Sequence, residues 1–234
     1  CDKVCSDVNA KDYSDIENAV LTGAGKEADV LFEAGVTNTL LVNADKETNG
    51  QTLYINVNGN DKNQSGKIIV NVEDNVTFTI IENFKGESST EGRVALRTLI
   101  DTGLNSKVRL IQVYMQPESI DVLSDTGCRL SDNASFEIVQ VFVGKGSLYD
   151  GIRTELIGNN SAFTADIGYL GAKKQNIDIN LISNHIGKKT NSGIRVDGAL
   201  KDEASKLFRG SIDFKNGSSG SVGAETENVL LLGE

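Results

Sequence analysis

INLISNHIGKKTNSGIRVDGALKDEASKLFRGSIDFKNGSSGSVGAETENVLLLGE, residues 179–234, decides the fold. Apolar residues alternate with polar ones in short runs, as at Ile194–Arg195–Val196–Asp197, and Gly, Asn and Ser fill the gaps. Period-two alternation bounded by turn residues predicts several short strands in succession.

The same texture extends upstream to Asn38. Candidate strands run from Thr39–Asn43, Thr52–Asn58, Lys67–Val72, Val76–Glu82, Arg93–Ile100 and Lys107–Gln116 to Ser135–Val143. Ile152–Ile157, Ala162–Leu170, Ile177–Ser183, Gly193–Leu200, Leu207–Phe214 and Asn228–Leu232 follow. No strand is placed between Gln116 and Ser135, where Pro117 should break a strand or mark an edge. Asn/Ser turns stand before strands at Asp74–Asn75, Asn105–Ser106, Asp132–Asn133, Asn159–Asn160 and Asn191–Ser192, with starts 31, 27, 27 and 32 residues apart. A period of that size means stacked units, each burying its apolar face on its neighbour. A β-solenoid is expected over residues 38–234, in preference to a sandwich of two antiparallel sheets. Low aromatic content (6%, no Trp) suits a thin core of Val, Ile and Leu.

Residues 1–37 read as a short helical segment. YSDIENAVL (13–21) has an apolar stripe at Ile16, Ala19 and Val20 with Asp12 or Ser14 as cap, and KEADVLFEA (26–34) should end at Gly35.

Composition narrows the function. Lys plus Arg is 23 against 33 for Asp plus Glu, a net charge of -10, which disfavours a phosphate backbone as partner. No apolar run nears the ~20 residues of a membrane helix. Three cysteines, Cys1, Cys5 and Cys128, are too few for a disulfide framework and suit a reducing, cytoplasmic compartment. No P-loop, GxSxG or HExxH is present, and Gly23–Ala24–Gly25 reads as a helix-opening turn. The one histidine, His185, cannot make a two-histidine metal site. A Ser–His–Asp triad would have to use it with Ser183, Ser192 and Asp197, and no elbow or oxyanion motif accompanies them; a structural imidazole at a strand end is the simpler reading. Asp166, Asp178, Asp197 and Asp213 lie on successive candidate strands and would stack in a row on one face of a solenoid. With Cys1 at the start, as in a mature lipoprotein, they suit a second reading: a secreted or surface β-solenoid that acts on or binds polysaccharide. Interleaved Lys and Arg suit plain neutralisation of a surface instead.

Asn184–His185–Ile186–Gly187 through Thr190–Asn191–Ser192 resembles the stretch of the SufB/SufD family of iron–sulfur cluster assembly proteins in which a His and Gly precede a Thr-x-Ser turn. Gly198–Ala199–Leu200, Phe208–Arg209–Gly210–Ser211–Ile212 and Gly223–Ala224–Glu225 through Leu232–Gly233–Glu234 resemble the family's later strands in order and spacing. The resemblance implies an all-β, right-handed parallel β-helix. It also implies a place in a complex of SufB-like and SufC-like (ATPase) proteins that handles an iron–sulfur cluster. SufB-type proteins carry a cluster-related Cys just before the Leu-rich run; here Thr226, Glu227 and Asn228 stand there, so the chain resembles SufD. The expected function is therefore non-catalytic and accessory, with no cofactor bound by this chain alone. The family's C-terminal helical region, which carries the SufC contact, would lie beyond Glu234. Candidate functional residues are His185 and Cys128. Asn228, Val229, Leu230, Leu231 and Leu232 are the candidate interface, able to support a homodimer in isolation.

Overall fold

A computed structural model describes residues 10–35, 38–59 and 63–233, and the side chains among these except those of residues 10–12, 33 and 34. Cys1 and Cys5 lie outside the described residues, as does the side chain of Asp12. Two helices, α1 (Ala10–Ala19) and α2 (Lys26–Gly35), precede fourteen strands. In chain order these are β1 (Asn38–Ala44), β2 (Thr52–Gly59), β3 (Asn63–Val72), β4 (Thr77–Gly86), β5 (Gly92–Thr102), β6 (Lys107–Tyr114) and β7 (Ile120–Leu130). The series continues with β8 (Ser135–Phe142), β9 (Leu148–Leu156), β10 (Ala162–Gly171), β11 (Asn176–His185), β12 (Asn191–Lys201), β13 (Ser205–Phe214) and β14 (Val222–Leu232).

Odd strands form one seven-stranded sheet and even strands another, each in the order of the chain. Every pairing is parallel, for example Ile179 with Phe208 and Ile194 with Glu225. Each turn of the solenoid contributes one strand to each sheet, which makes seven turns. Alternate residues point into the lumen between the sheets, where buried residues from β1 to β12 form one core and the partly buried Phe208 and Ile212 of β13 pack against it. Phe84, Tyr114 and Phe142 occupy one column on β4, β6 and β8, with neighbouring rings 4.5 Å apart.

The expected turn residues build one corner of this coil. After β3, β5, β7 and β9 the chain bends at Asn75, Asn105, Asn133 and Asn160, with φ of 64°, 56°, 57° and 57°. Asn tolerates this left-handed conformation better than most L residues. The side chains form a ladder: Asn105 donates to Asn75 (3.1 Å), Asn133 to Asn105 (3.1 Å) and Asn160 to Asn133 (3.2 Å). The fifth corner differs from the expectation: Asn191 opens β12, and Lys189 takes the left-handed position (φ 55°).

Two further expectations are corrected. The segment 120–130, read as strandless, is β7; Pro117 sits in the corner before it rather than ending the ladder. Helix α1 begins at Ala10, so Ser14 lies inside it, and Gly35 is the last residue of α2. Both helices pack on the outside of the odd sheet. Tyr13, Ile16 and Val20 cover Ile69 and Leu99, while Ala28 and Phe32 cover Ala95. Between the helices the backbone is pinned. Asp125 accepts from the amides of Gly23 (3.1 Å) and Ala24 (2.8 Å), and Gly23 approaches Gly151 so closely that a Cβ on either would meet backbone atoms. Arg97 pairs with Asp125 and Asp29 and lies 4.4 Å from the Phe32 ring centroid.

Candidate functional site

Three features depart from a plain apolar solenoid core: a polar chain across the lumen, a histidine knot at its wall, and a charged last turn.

The polar chain begins with Glu82, Gln112 and Gln140, which share one inward column on β4, β6 and β8. Glu82 accepts from Thr98 Oγ1 (2.8 Å) and Gln112 Nε2 (2.7 Å). Gln140 Nε2 donates to Gln112 Oε1 (2.6 Å) and, across the lumen, to Asp150 Oδ2 (3.0 Å). Beside the chain, Tyr114 donates to Ser124 (2.9 Å). All are buried, and no cation faces either carboxyl within the chain. Burial pushes both Glu82 and Asp150 up to about 7, against the hydrogen bonds from Gln112 and Thr98 on the first and from Gln140 and Ser124 on the second. Burial also raises the Tyr114 phenol, aided by the charge of Asp150. Asp150 Oδ1 and Gln140 Oε1 are buried without a hydrogen-bond partner. Sequence reasoning passed over these residues. The signal was Ile81-Glu82-Asn83-Phe84, Ile111-Gln112-Val113-Tyr114 and Val139-Gln140-Val141-Phe142, one tetrapeptide pattern recurring at the turn period.

Cys128 lies inside β7, in the inward column Val70–Ile100–Cys128–Thr154–Ser183. It is buried, and burial, with the charge of Asp101 adding, pushes its thiol well above the usual range. The neighbouring hydroxyls of Thr154 and Ser183 are buried without partners.

His185 ends β11. Its Nδ1 is 2.6 Å from Thr190 Oγ1, its Nε2 is 2.8 Å from Ser192 Oγ, and Phe214 stacks on the ring at 4.6 Å. Burial lowers its pKa. The serine of the imagined triad is therefore present, but Thr190 takes the place of a carboxylate. Asp197 lies on the outer face with Arg195 and Asn228, and Ser183 makes no bond to the ring. His185, Thr190 and Ser192 are buried, and the knot ties the β11–β12 corner.

The row of aspartates does not form. Successive strands alternate between sheets, so Asp166 and Asp197 lie on the even sheet and Asp178 and Asp213 on the odd one. Each has a cation: Arg195 for the first two, Arg209 for Asp178 and Lys215 for Asp213. No glycosidase pair of facing carboxylates results.

Asn228–Leu232 falls within β14, the last strand of the even sheet, whose residues are all exposed. The inward columns that carry Ile194 and Val196 on β12 end in Glu225 and Glu227. Glu227 pairs with Lys206 of β13, and Glu225 lies over Gly210, so close that a Cβ there would collide with its carboxylate. Beneath them Tyr169, 6% exposed, has a hydroxyl without a partner; burial and the Glu227 charge push it up to about 12. Among the described residues no group of three His, Cys, Asp or Glu side chains could hold a metal ion, and no helix is long and apolar enough to cross a membrane.

The architecture is that of a parallel β-solenoid scaffold, with its chemistry sealed in the lumen and its open groups at the last turn. The family model for the SUF system FeS cluster assembly, SufBD core domain, matches residues 54–234, from β2 to the end, and the chain belongs to that family. Nothing among the curated proteins matches the chain.

Proposed function

We propose that this chain is the SufD-like, non-catalytic partner in a SUF iron–sulfur assembly complex. It works in the cytoplasm beside a SufB-like protein and a SufC-like ATPase and binds no cofactor by itself. The observation that carries this reading is the last turn, where Thr226–Glu227–Asn228 stands in place of a thiolate and Glu227 is already paired with Lys206. A hard carboxylate tied to an ammonium is a poor ligand for Fe–S species, which thiolates hold best. The one described thiol, Cys128, is buried and held protonated, so it is a weak nucleophile and ligand.

The unpaired edge of β14 is the natural contact for the SufB-like partner, because exposed strand edges invite strand addition. Its inward carboxylates also favour a partner other than a second copy, which would set carboxylates against each other. Anaerobic reconstitution with iron and sulfide tests the reading. The isolated chain should retain no stoichiometric cluster and should join a complex when mixed with SufB-like and SufC-like proteins. A cluster that is retained, and lost on Cys128→Ser, would overturn it.

A further inference from the structure

The two sheets are dressed differently on the outside. Amphipathic helices α1 and α2 cover apolar residues of the odd sheet. Among the described residues no element covers the even sheet, yet its outer face carries an apolar stripe. One residue beyond the buried Tyr114–Phe142–Tyr169 column stand Met115, Val143 and Leu170, and the column continues through Ala199 to Leu230. Met115 is 45% exposed, Val143 51%, Leu170 48% and Leu230 60%. Val113 and Val141 widen the stripe by one column. Singly exposed apolar residues need no explanation, but a contiguous set in register across five turns marks a contact surface.

The margin of the stripe carries charge that says what would lie on it. Lys145 stands two residues past Val143 and Lys201 two residues past Ala199, both exposed and neither in an ion pair among the described residues, on a chain of net charge -10. The acids of that margin are engaged: Glu118 with Lys173, Glu203 with Lys174, and Asp202 as acceptor from the Lys173 amide (3.0 Å). Stacked turns are about 4.8 Å apart, so the stripe from Met115 to Leu230 is about 19 Å long, the length of a helix of about 13 residues. A helix lying along the solenoid axis advances about 5.4 Å per turn, close enough to the turn spacing to set an apolar side chain over each of these residues. Lys145 and Lys201, two solenoid turns apart, are about 10 Å from each other, which matches helix positions i and i+7 at about 10.5 Å.

We propose that the outer face of the even sheet docks an acidic amphipathic helix of a partner protein, its apolar stripe on Met115, Val143 and Leu170 and carboxylates seven residues apart on Lys145 and Lys201. The molecule already covers its other face with helices of this kind. Apart from Leu230 the stripe lies on turns other than that of β14, and the tested residues Leu170, Lys145 and Lys201 are all off that strand, so the inference and the β14 and SufD-like readings can each fail alone.

The probe is a synthetic helical peptide of about 18 residues with a leucine stripe and glutamates at i and i+7 beside it, followed by fluorescence anisotropy at low and high salt. A second peptide carries lysines in place of those glutamates. The acidic peptide should bind the wild type, more tightly at low salt. Binding should weaken at least tenfold on Leu170→Asp and on the pair Lys145→Glu with Lys201→Glu, and the lysine peptide should recover it on the charge-reversed pair. Circular dichroism confirms that the variants are folded. The proposal is overturned if the acidic peptide does not bind, if it binds all variants equally, or if the wild type is a dimer that Leu170→Asp dissociates, since a second copy would then occupy the face.

Discussion

Replacing Asp150 by Asn should make the protein more stable at pH 8 and no more stable at pH 4. Asp150 is held up to about 7 by burial. In the unfolded chain an aspartate titrates near its ordinary value of 3.8. The folded state therefore binds more protons than the unfolded state between those values. The stability tied to this proton is complete below about pH 4, is withdrawn as pH rises through about 7, and does not change further above it. Three pH decades at 1.36 kcal/mol each give about 4 kcal/mol. The geometry has the same sense. Asp150 Oδ2 accepts from Gln140 Nε2, while Asp150 Oδ1 and Gln140 Oε1 are both orphaned acceptors. A proton on Asp150 would turn one of these buried acceptors into a donor. An Asn amide supplies it at every pH.

The assay is parallel thermal unfolding of wild type and Asp150→Asn from pH 5 to pH 8. Between pH 5 and pH 8 about two of those decades remain, about 3 kcal/mol, which for a chain of this length corresponds to about 8 °C in Tm. The gap between the two proteins should open by about that amount as pH rises, because surface carboxylates common to both cancel in the difference. Glu82→Gln should behave alike, and the double variant should show less than the sum, since Glu82 itself raises Asp150. Two parallel Tm curves from pH 5 to pH 8 would refute the reasoning and mean that Asp150 ionises in the folded protein at no cost.

Other outcomes follow from the same structure. Arg97→Ala leaves Asp125, whose side chain is fully buried, without its cation and should cost about 3–5 kcal/mol; limited proteolysis should then cut between α1 and α2 before any strand. Asn133→Ala forces Ala into a left-handed corner at about 1–2 kcal/mol and breaks the Asn ladder, whereas Asn133→Gly should lose about 1 kcal/mol from the ladder alone; equal urea midpoints for the two would show that the conformation is not limiting. In light scattering, any homodimer through β14 should be weak, gain on added salt that screens the two -10 chains, and vanish in Leu231→Lys; a tight dimer indifferent to both would place the contact elsewhere.

The strands that were legible in the sequence have one covered face and one wet face. In β10, Phe163, Ala165, Ile167 and Tyr169 point inward and the residues between them outward, so the alternation is plain. β7 hides for two reasons. Its inward side carries Ser124, Thr126 and Cys128 among Ile120, Val122 and Leu130, which dilutes the apolar phase. Its outward side, Asp121, Leu123, Asp125, Gly127 and Arg129, is partly covered by the segment joining the helices, and its Leu and Gly blur the contrast with the hydroxyl-bearing inward side. The corners were legible wherever Asn takes the left-handed residue. The reading slipped at Lys189, whose side chain does not announce that conformation. The aspartate row failed because a sequence shows succession of strands and not their alternation between two sheets.

The lumen chain and the last turn share one property: each puts polar groups in columns that are apolar elsewhere. The Glu82 column becomes Ile167 and Val196 before ending in Glu227, and the Ile80 column stays apolar through Ile194 before ending in Glu225. Departures of this kind cost stability, and natural chains keep them mainly where something other than folding is served. The two sites differ in access. The lumen chain is closed on all sides by its own turns, so it can exchange a proton or a water but cannot meet another protein. The last turn and the bare outer face of the even sheet are open, one edged with carboxylates and the other with lysines. If both proposals hold, partners meet surfaces of opposite charge, a strand edge and a sheet face. The two surfaces share Leu230, which ends the stripe and lies on the last strand, so a partner at the edge and a helix on the face would meet there.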